Sequence, residues 1–198
     1  MRSANQGFSL IELLIASSVG LIAIGIVGSV FLSGYQAANK RSLELLLQQD
    51  VNDAFRLIKE DVLRAGYVSS GASSLKLSGA SNVVYVNPEN NCLSYAYDSP
   101  DGRRYNEVMY NKTDRKLVYR SIDDEITALN ACSLSGERSY SLIYEKQITV
   151  NQFEIENKSI SSASATSQLI KITLAGHLKN DDSVSTAKSI QIKTRNWQ

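Results

Sequence analysis

The chain has 198 residues, a formal net charge of +1 and acidic and basic residues interspersed along its length. Without clustered Lys and Arg there is no nucleic-acid footprint, and no direct nucleic-acid binding is expected. Ten tyrosines with abundant Ser and Asn suit an exposed, β-rich domain.

The chain opens with a short polar leader, 1–7, which carries Arg2 and ends at Gly7. Phe8-Ser9-Leu10-Ile11-Glu12 follows, and no further charge occurs before Lys40. A charged side chain inside hydrocarbon costs at least about 2.5–3.5 kcal/mol, so Glu12 needs a compensating role. From Leu13 to Leu32 the residues are almost all Leu, Ile, Val, Ala, Gly and Phe, with scattered Ser. About 20 residues rising about 1.5 Å each span the roughly 30 Å hydrocarbon core, so a transmembrane helix is expected. A secretory signal would have a shorter apolar region with a small-residue cleavage site after it. A plain uncleaved anchor would account for the length, but not for Glu12 or for the Gly7-Phe8 junction.

Gly7-Phe8-Ser9-Leu10-Ile11-Glu12 ahead of such a run resembles the processing site of type IV prepilins and type II secretion pseudopilins. The resemblance implies that a prepilin peptidase cuts between Gly7 and Phe8 and methylates the new Phe8 amine. It also implies a single-pass protein of the inner membrane of a Gram-negative bacterium, with its leader in the cytoplasm. After assembly it would lie in the periplasm and in the pilus at the cell surface. Charge alone does not set the orientation, because Arg2 lies on one side of the run and Lys40 and Arg41 on the other. In the family, the carboxylate of an incoming subunit meets the N-terminal amine of one already in the fibre. Glu12 is thereby assigned to assembly; a place in the headgroup zone is the simpler alternative.

Past the membrane segment, Leu43, Leu47, Ala54, Ile58, Val62 and Ala65 recur at three-, four- or seven-residue intervals, with Gln48, Asn52, Arg56 and Lys59 largely on other faces. That is an amphipathic helix with one buried stripe. It should end at Arg64-Ala65-Gly66, where glycine supplies the left-handed cap and Arg64 complements the helix dipole. One helix from about Phe8 to Ala65 results. Beyond Gly66, 69–81 reads as a loop, Val83–Val86 as a strand stopped at Asn87-Pro88, and Leu93, Tyr95 and Tyr97 as a second strand. Asp98–Gly102 is a turn, and 107–110 with 116–120 forms a hairpin around Asn111–Asp114. A second β group takes in Ile148, Val150, Phe153 and Ile155, then 169–174 and 190–193, separated by loops at 157–167 and 179–185. The expected fold is α+β, a long N-terminal helix with a membrane half and an amphipathic half packed against an antiparallel sheet. The divisions are 1–7 leader, 8–35 transmembrane and assembly helix, 36–66 amphipathic half, and 67–198 periplasmic β-rich domain.

The helix end, Glu60-Asp61-Val62-Leu63-Arg64-Ala65-Gly66-Tyr67, together with Glu12–Ala16 and Gly20-Leu21, looks like the minor pilins called PilW. Thr194-Arg195-Asn196 is similar to that group too. Major pilins usually carry a proline where Ser29 stands, and many have a Cys-bounded loop at the C-terminus. Here the two cysteines, Cys92 and Cys132, lie in mid-domain, which favours a minor subunit. The resemblance implies a role in priming fibre assembly beside other minor pilins, the major pilin and the inner-membrane assembly platform. The related pseudopilin GspJ shares this architecture, so a type II secretion role is the nearest alternative. In the oxidising periplasm that the resemblance implies, Cys92 and Cys132 are most simply one disulfide, worth roughly 4 kcal/mol in the chain-entropy model; two buried thiols are the alternative.

Other function classes find little support. His177, the single histidine, follows Gly176 at an expected strand end and reads as a solvated turn residue. Neither cysteine has the close Cys or His neighbour that zinc sites use, so no metal is expected. Asp123-Asp124-Glu125 and Asp181-Asp182 lack a calcium-loop spacing and read as solvated charge. The Ser-rich stretches 69–74 and 159–167 read as loops without a base or orienting partner, so no catalytic residue, enzyme or cofactor is expected. An anchored adhesin or DNA-uptake accessory stays open, because Tyr85, Tyr95, Tyr97, Tyr105, Tyr110 and Tyr119 fit either an exposed aromatic face or a core.

Overall fold

The computed structural model describes residues 9–69, 73–133, 139–163 and 165–195. Gly7 and Phe8 lie outside the described residues. The chain divides into two units, Met1–Leu43 and Glu44–Gln198.

A single helix, α1, runs from Leu10 to Val62, and in the first unit its side chains are exposed on every face. A helix that is apolar all round has no face suited to water, and this one is long and apolar enough to cross a membrane. The hydroxyls of Ser17, Ser18, Ser29 and Ser33 donate to carbonyls three or four residues back. They are therefore satisfied within the helix, as hydrocarbon requires.

In the second unit the helix is one-sided. Leu47, Val51, Ala54, Phe55, Ile58, Asp61 and Val62 are buried. After Val62 the chain turns, and Gly66 adopts the left-handed conformation expected of it, with φ 79°. Its N–H donates to the Ala96 carbonyl, fastening the helix end to the sheet.

Two antiparallel sheets follow. The first holds β1 (Val84–Val86), β2 (Cys92–Ser99), β3 (Gly102–Asn111), β4 (Lys116–Ile122) and β5 (Ser139–Ser141), paired in sequence order. The second holds β6 (Ile148–Ser161), β7 (Thr166–Leu178) and β8 (Asp181–Lys193). Strand β2 is buried on both faces from Cys92 to Tyr97. Tyr95 and Tyr97 bond to Asp61 of the helix. On the other face Ala96 joins Tyr105, Leu77 and Ile126 in a second small core under the loops. Val150 N–H donates to Arg115 and Ile155 N–H to Asn90, so the outer edge of β6 is stitched to the first sheet. Gln168 of β7 acts as a further strand: its side-chain amide exchanges two hydrogen bonds, 2.9 and 2.8 Å, with the Val84 backbone of β1.

The α+β architecture is as expected, but the strand ends are not. The segments read as loops at 157–167 and 179–185 are mostly strand: β6 continues to Ser161, β7 begins at Thr166, and β8 begins at Asp181 after a two-residue turn. Apart from Thr166 and the buried Ser167, the polar residues there are exposed at a sheet margin, where backbone pairing and not burial sets the conformation. For the same reason β5, exposed throughout, carries no alternating apolar signal. His177 also departs from its reading: it lies within β7, not in a turn, its ring close to Asn151 (2.8 Å) and Asp182 (3.2 Å).

Candidate functional site

The N-terminal end of α1 carries the carboxylate half of a capping box. Ser9 stands just before the helix, and its carbonyl accepts from the N–H groups of Glu12 and Leu13. The Glu12 carboxylate turns back to accept the Ser9 N–H at 3.0 Å. The first turn of a helix leaves backbone donors without partners, and their positive end of the helix dipole favours an anion. Glu12 thus satisfies a donor that hydrocarbon would otherwise leave exposed. Ser-x-x-Glu before an apolar run is the sequence signal for this arrangement, which the reading of Glu12 as an assembly residue did not use. Its second oxygen leaves capacity to meet a cation as well.

At the far end of α1 is a buried polar cluster that the sequence reading passed over. Asp61 accepts the hydroxyls of Tyr95 at 2.5 Å, Tyr97 at 2.8 Å and Tyr119 at 2.9 Å. It is 8 % exposed. Burial, together with the Asp61 charge, raises all three phenol pKa values above their ordinary range. Arg64 lies 3.9 Å from Asp61 and 6.0 Å from the centre of the Tyr97 ring, so a cation–π contact covers the outer side of the cluster. Tyr119 also lies 3.0 Å from the Asn106 amide oxygen, while Asn106 Nδ2 has no partner among the described residues. A phenol has one proton, and here Asp61 takes it. Turning the Asn106 amide end for end gives Tyr119 a donor and satisfies Nδ2 together.

The signal that would have found Asp61 is its place on the helix. Leu47, Val51, Ala54, Ile58, Asp61 and Ala65 follow one another at three or four residues, so the buried stripe passes through a carboxylate. Such a residue demands several donors, and the tyrosines on β2 and β4 supply them. The choice between an exposed aromatic face and a core is thereby decided for Tyr95, Tyr97 and Tyr105, all buried.

Cys92 and Cys132 form a disulfide with Cα atoms 5.9 Å apart. Cys132 has φ 66°, and its N–H donates to Glu107 Oε1 at 2.7 Å. Glu107, itself 1 % exposed, is paired with Arg120 across the β3–β4 ladder. This carboxylate therefore holds the Cys132 end of the bridge as well as the ladder. A buried ion pair of this kind depends on keeping both partners and their further hydrogen bonds. The acidic runs have ordinary partners: Asp123 pairs with Arg104, and Asp182 with His177.

Comparison with known proteins agrees with this anatomy. The prokaryotic N-terminal methylation motif matches residues 2–28. The family model described as prepilin peptidase-dependent protein B, PpdB, matches residues 40–194. Comparison with curated proteins and with solved structures finds no match. The resemblance to type IV prepilins is thereby borne out, from the leader through the described β unit. The chain belongs to the prepilin peptidase-dependent protein B family.

Proposed function

We propose that this protein is a minor type IV pilin of the PilW-like kind, which helps initiate pilus assembly within a minor-pilin complex that primes the fibre and stays at its tip. The prepilin peptidase removes residues 1–7 and methylates Phe8, and segment 8–35 holds the subunit in the inner membrane until it is extracted. The protein works through contacts with other minor pilins, the major pilin and the assembly platform, not through chemistry of its own. One observation carries this reading: a carboxylate, Glu12, stands at the head of a helical segment that is apolar and exposed on every face. Such a helix is stable only among lipids or among similar helices. A carboxylate in either setting seeks a cation, and the Phe8 amine of a neighbouring subunit is one. The disulfide lies in mid-domain, which supports a minor subunit.

A clean deletion, made with and without the retraction motor, tests the reading. Loss of sheared surface pili, partly restored when retraction is absent, is the expected result. Loss of exoprotein secretion with pili intact would move the protein to the pseudopilins.

A further inference from the structure

Sheet β6–β7–β8 has one edge stitched to the rest of the fold and one that is not. The pairing parity identifies the outward groups. Thr194 N–H donates to the Gln168 carbonyl, and the register continues through Ile170↔Ile192 and Ile172↔Ile190. Antiparallel pairs alternate between bonded and non-bonded, so Ile192, Ile190, Lys188 and Thr186 spend their backbone groups on β7. Ser185, Ala187, Ser189 and Gln191 then direct theirs outward. The same parity accounts for Ile155 of β6 reaching Asn90 on the opposite edge, which checks the assignment. Among the described residues, no backbone group between Val184 and Ile192 bonds to anything outside β7.

Natural proteins blunt such an edge with a charge, a proline, a bulge or a short strand. Strand β8 is irregular near its start, where Asp181 and Ser185 face successive residues of β7, but from Ser185 to Gln191 its register is unbroken. The one charged side chain in that stretch, Lys188, is turned to Asn52 of α1, and the four residues with outward backbone groups are uncharged. A groove of about 470 Å³ runs between this edge and α1. Three consecutive β8 residues, Lys188, Ser189 and Ile190, line it, so the groove meets the strand along its edge and not on one face. Across it stand Phe55, Arg56 and Lys59 of the helix. Asp53 offsets Arg56 at 3.2 Å and Lys188 reaches Asn52 at 3.0 Å, which leaves the groove rim with an excess of positive charge.

We propose that the outer edge of β8 takes up, by strand addition, an extended acidic segment of another pilin-like subunit. The incoming backbone supplies the partners that Ser185, Ala187, Ser189 and Gln191 lack, and its carboxylates face Lys59 and Lys188. This rests on the assembly reading above and names the surface and the partner chemistry that it uses.

The test places a photo-reactive benzoylphenylalanine at Gln191 in the full-length chain, in cells that make the fibre, and maps the cross-linked peptide by mass spectrometry. An extended, acid-bearing peptide from another pilin-like subunit is expected. Ala187→Pro removes an outward N–H without touching the β7 ladder, and should lower the cross-link yield roughly tenfold, the worth of one backbone hydrogen bond. Ser189→Glu, which keeps the backbone intact but sets a like charge against the incoming carboxylates, should act in the same direction. An unchanged disulfide and protease resistance establish that both variants fold. No adduct, an adduct to a second copy of β8, or a yield indifferent to both variants overturns the proposal. Glu12→Ala is scored in the same cells: if it abolishes fibres while Ala187→Pro leaves the adduct unchanged, the assembly reading survives and strand addition falls.

Discussion

At the scale of single residues, Asp61 explains why three tyrosines of the first sheet point at one spot on the helix. Tyr95 is fully buried, so its hydroxyl has no water to fall back on once the carboxylate is gone. An unpaired hydroxyl in the core costs about 1–3 kcal/mol, and Asp61→Ala is expected to lose at least that much in equilibrium unfolding. Tyr97→Phe removes one of three donors and should cost less. The raised phenol pKa values give a second expectation. A group whose folded pKa lies above its unfolded value lends stability that is complete below the unfolded value, about 10 for tyrosine, and lost as pH rises toward the folded one. Ultraviolet titration should therefore show a group of tyrosines that resists ionisation while the fold persists. Tyr95 and its neighbours should ionise at higher pH, together with loss of structure. Phenolate signal from all ten tyrosines before any unfolding would contradict the cluster.

At the scale of elements, the strands with a strict apolar alternation were legible, and those held by pairing alone were not. The stretch 157–161 of β6 is exposed throughout, and its partners on β7 are fixed by register, so composition alone reads it as loop. The helix was legible because an apolar run of membrane length continues without a break into a periodic stripe, and Gly66 marks its end. Its single hidden carboxylate escaped notice because a charged residue is ordinarily assigned to the outer face. Gly176 shows a constraint of another kind. A Cβ built there would meet the Thr149 carbonyl oxygen at 2.8 Å, beside the irregular register at Val150 and Gln152. The obstacle is backbone and cannot swing aside. Gly176→Ala should cost about 1–3 kcal/mol, the usual range for overpacking, read as a lowered denaturant midpoint with an unchanged slope.

At the scale of the whole molecule, the two units answer to different solvents. Segment 10–43 contributes no core of its own, and its exposed Leu, Ile and Val side chains fit lipid or neighbouring helices. The unit from Glu44 onward has a core on both faces of its first sheet, a disulfide and a buried ion pair. The motif at the head of the chain was legible because its chemistry is unusual: a glycine, an aromatic residue and a carboxylate at fixed spacing before an apolar run. The open β8 edge was not legible, since the strand that carries it reads partly as loop. The most direct test of the account is the mass of the N-terminal peptide of the mature protein, taken from membranes of cells with and without the prepilin peptidase. A chain beginning at methylated Phe8 when the peptidase is present, and at residue 1 or 2 when it is absent, is the expected result. A leader still attached when the peptidase is active would contradict the account.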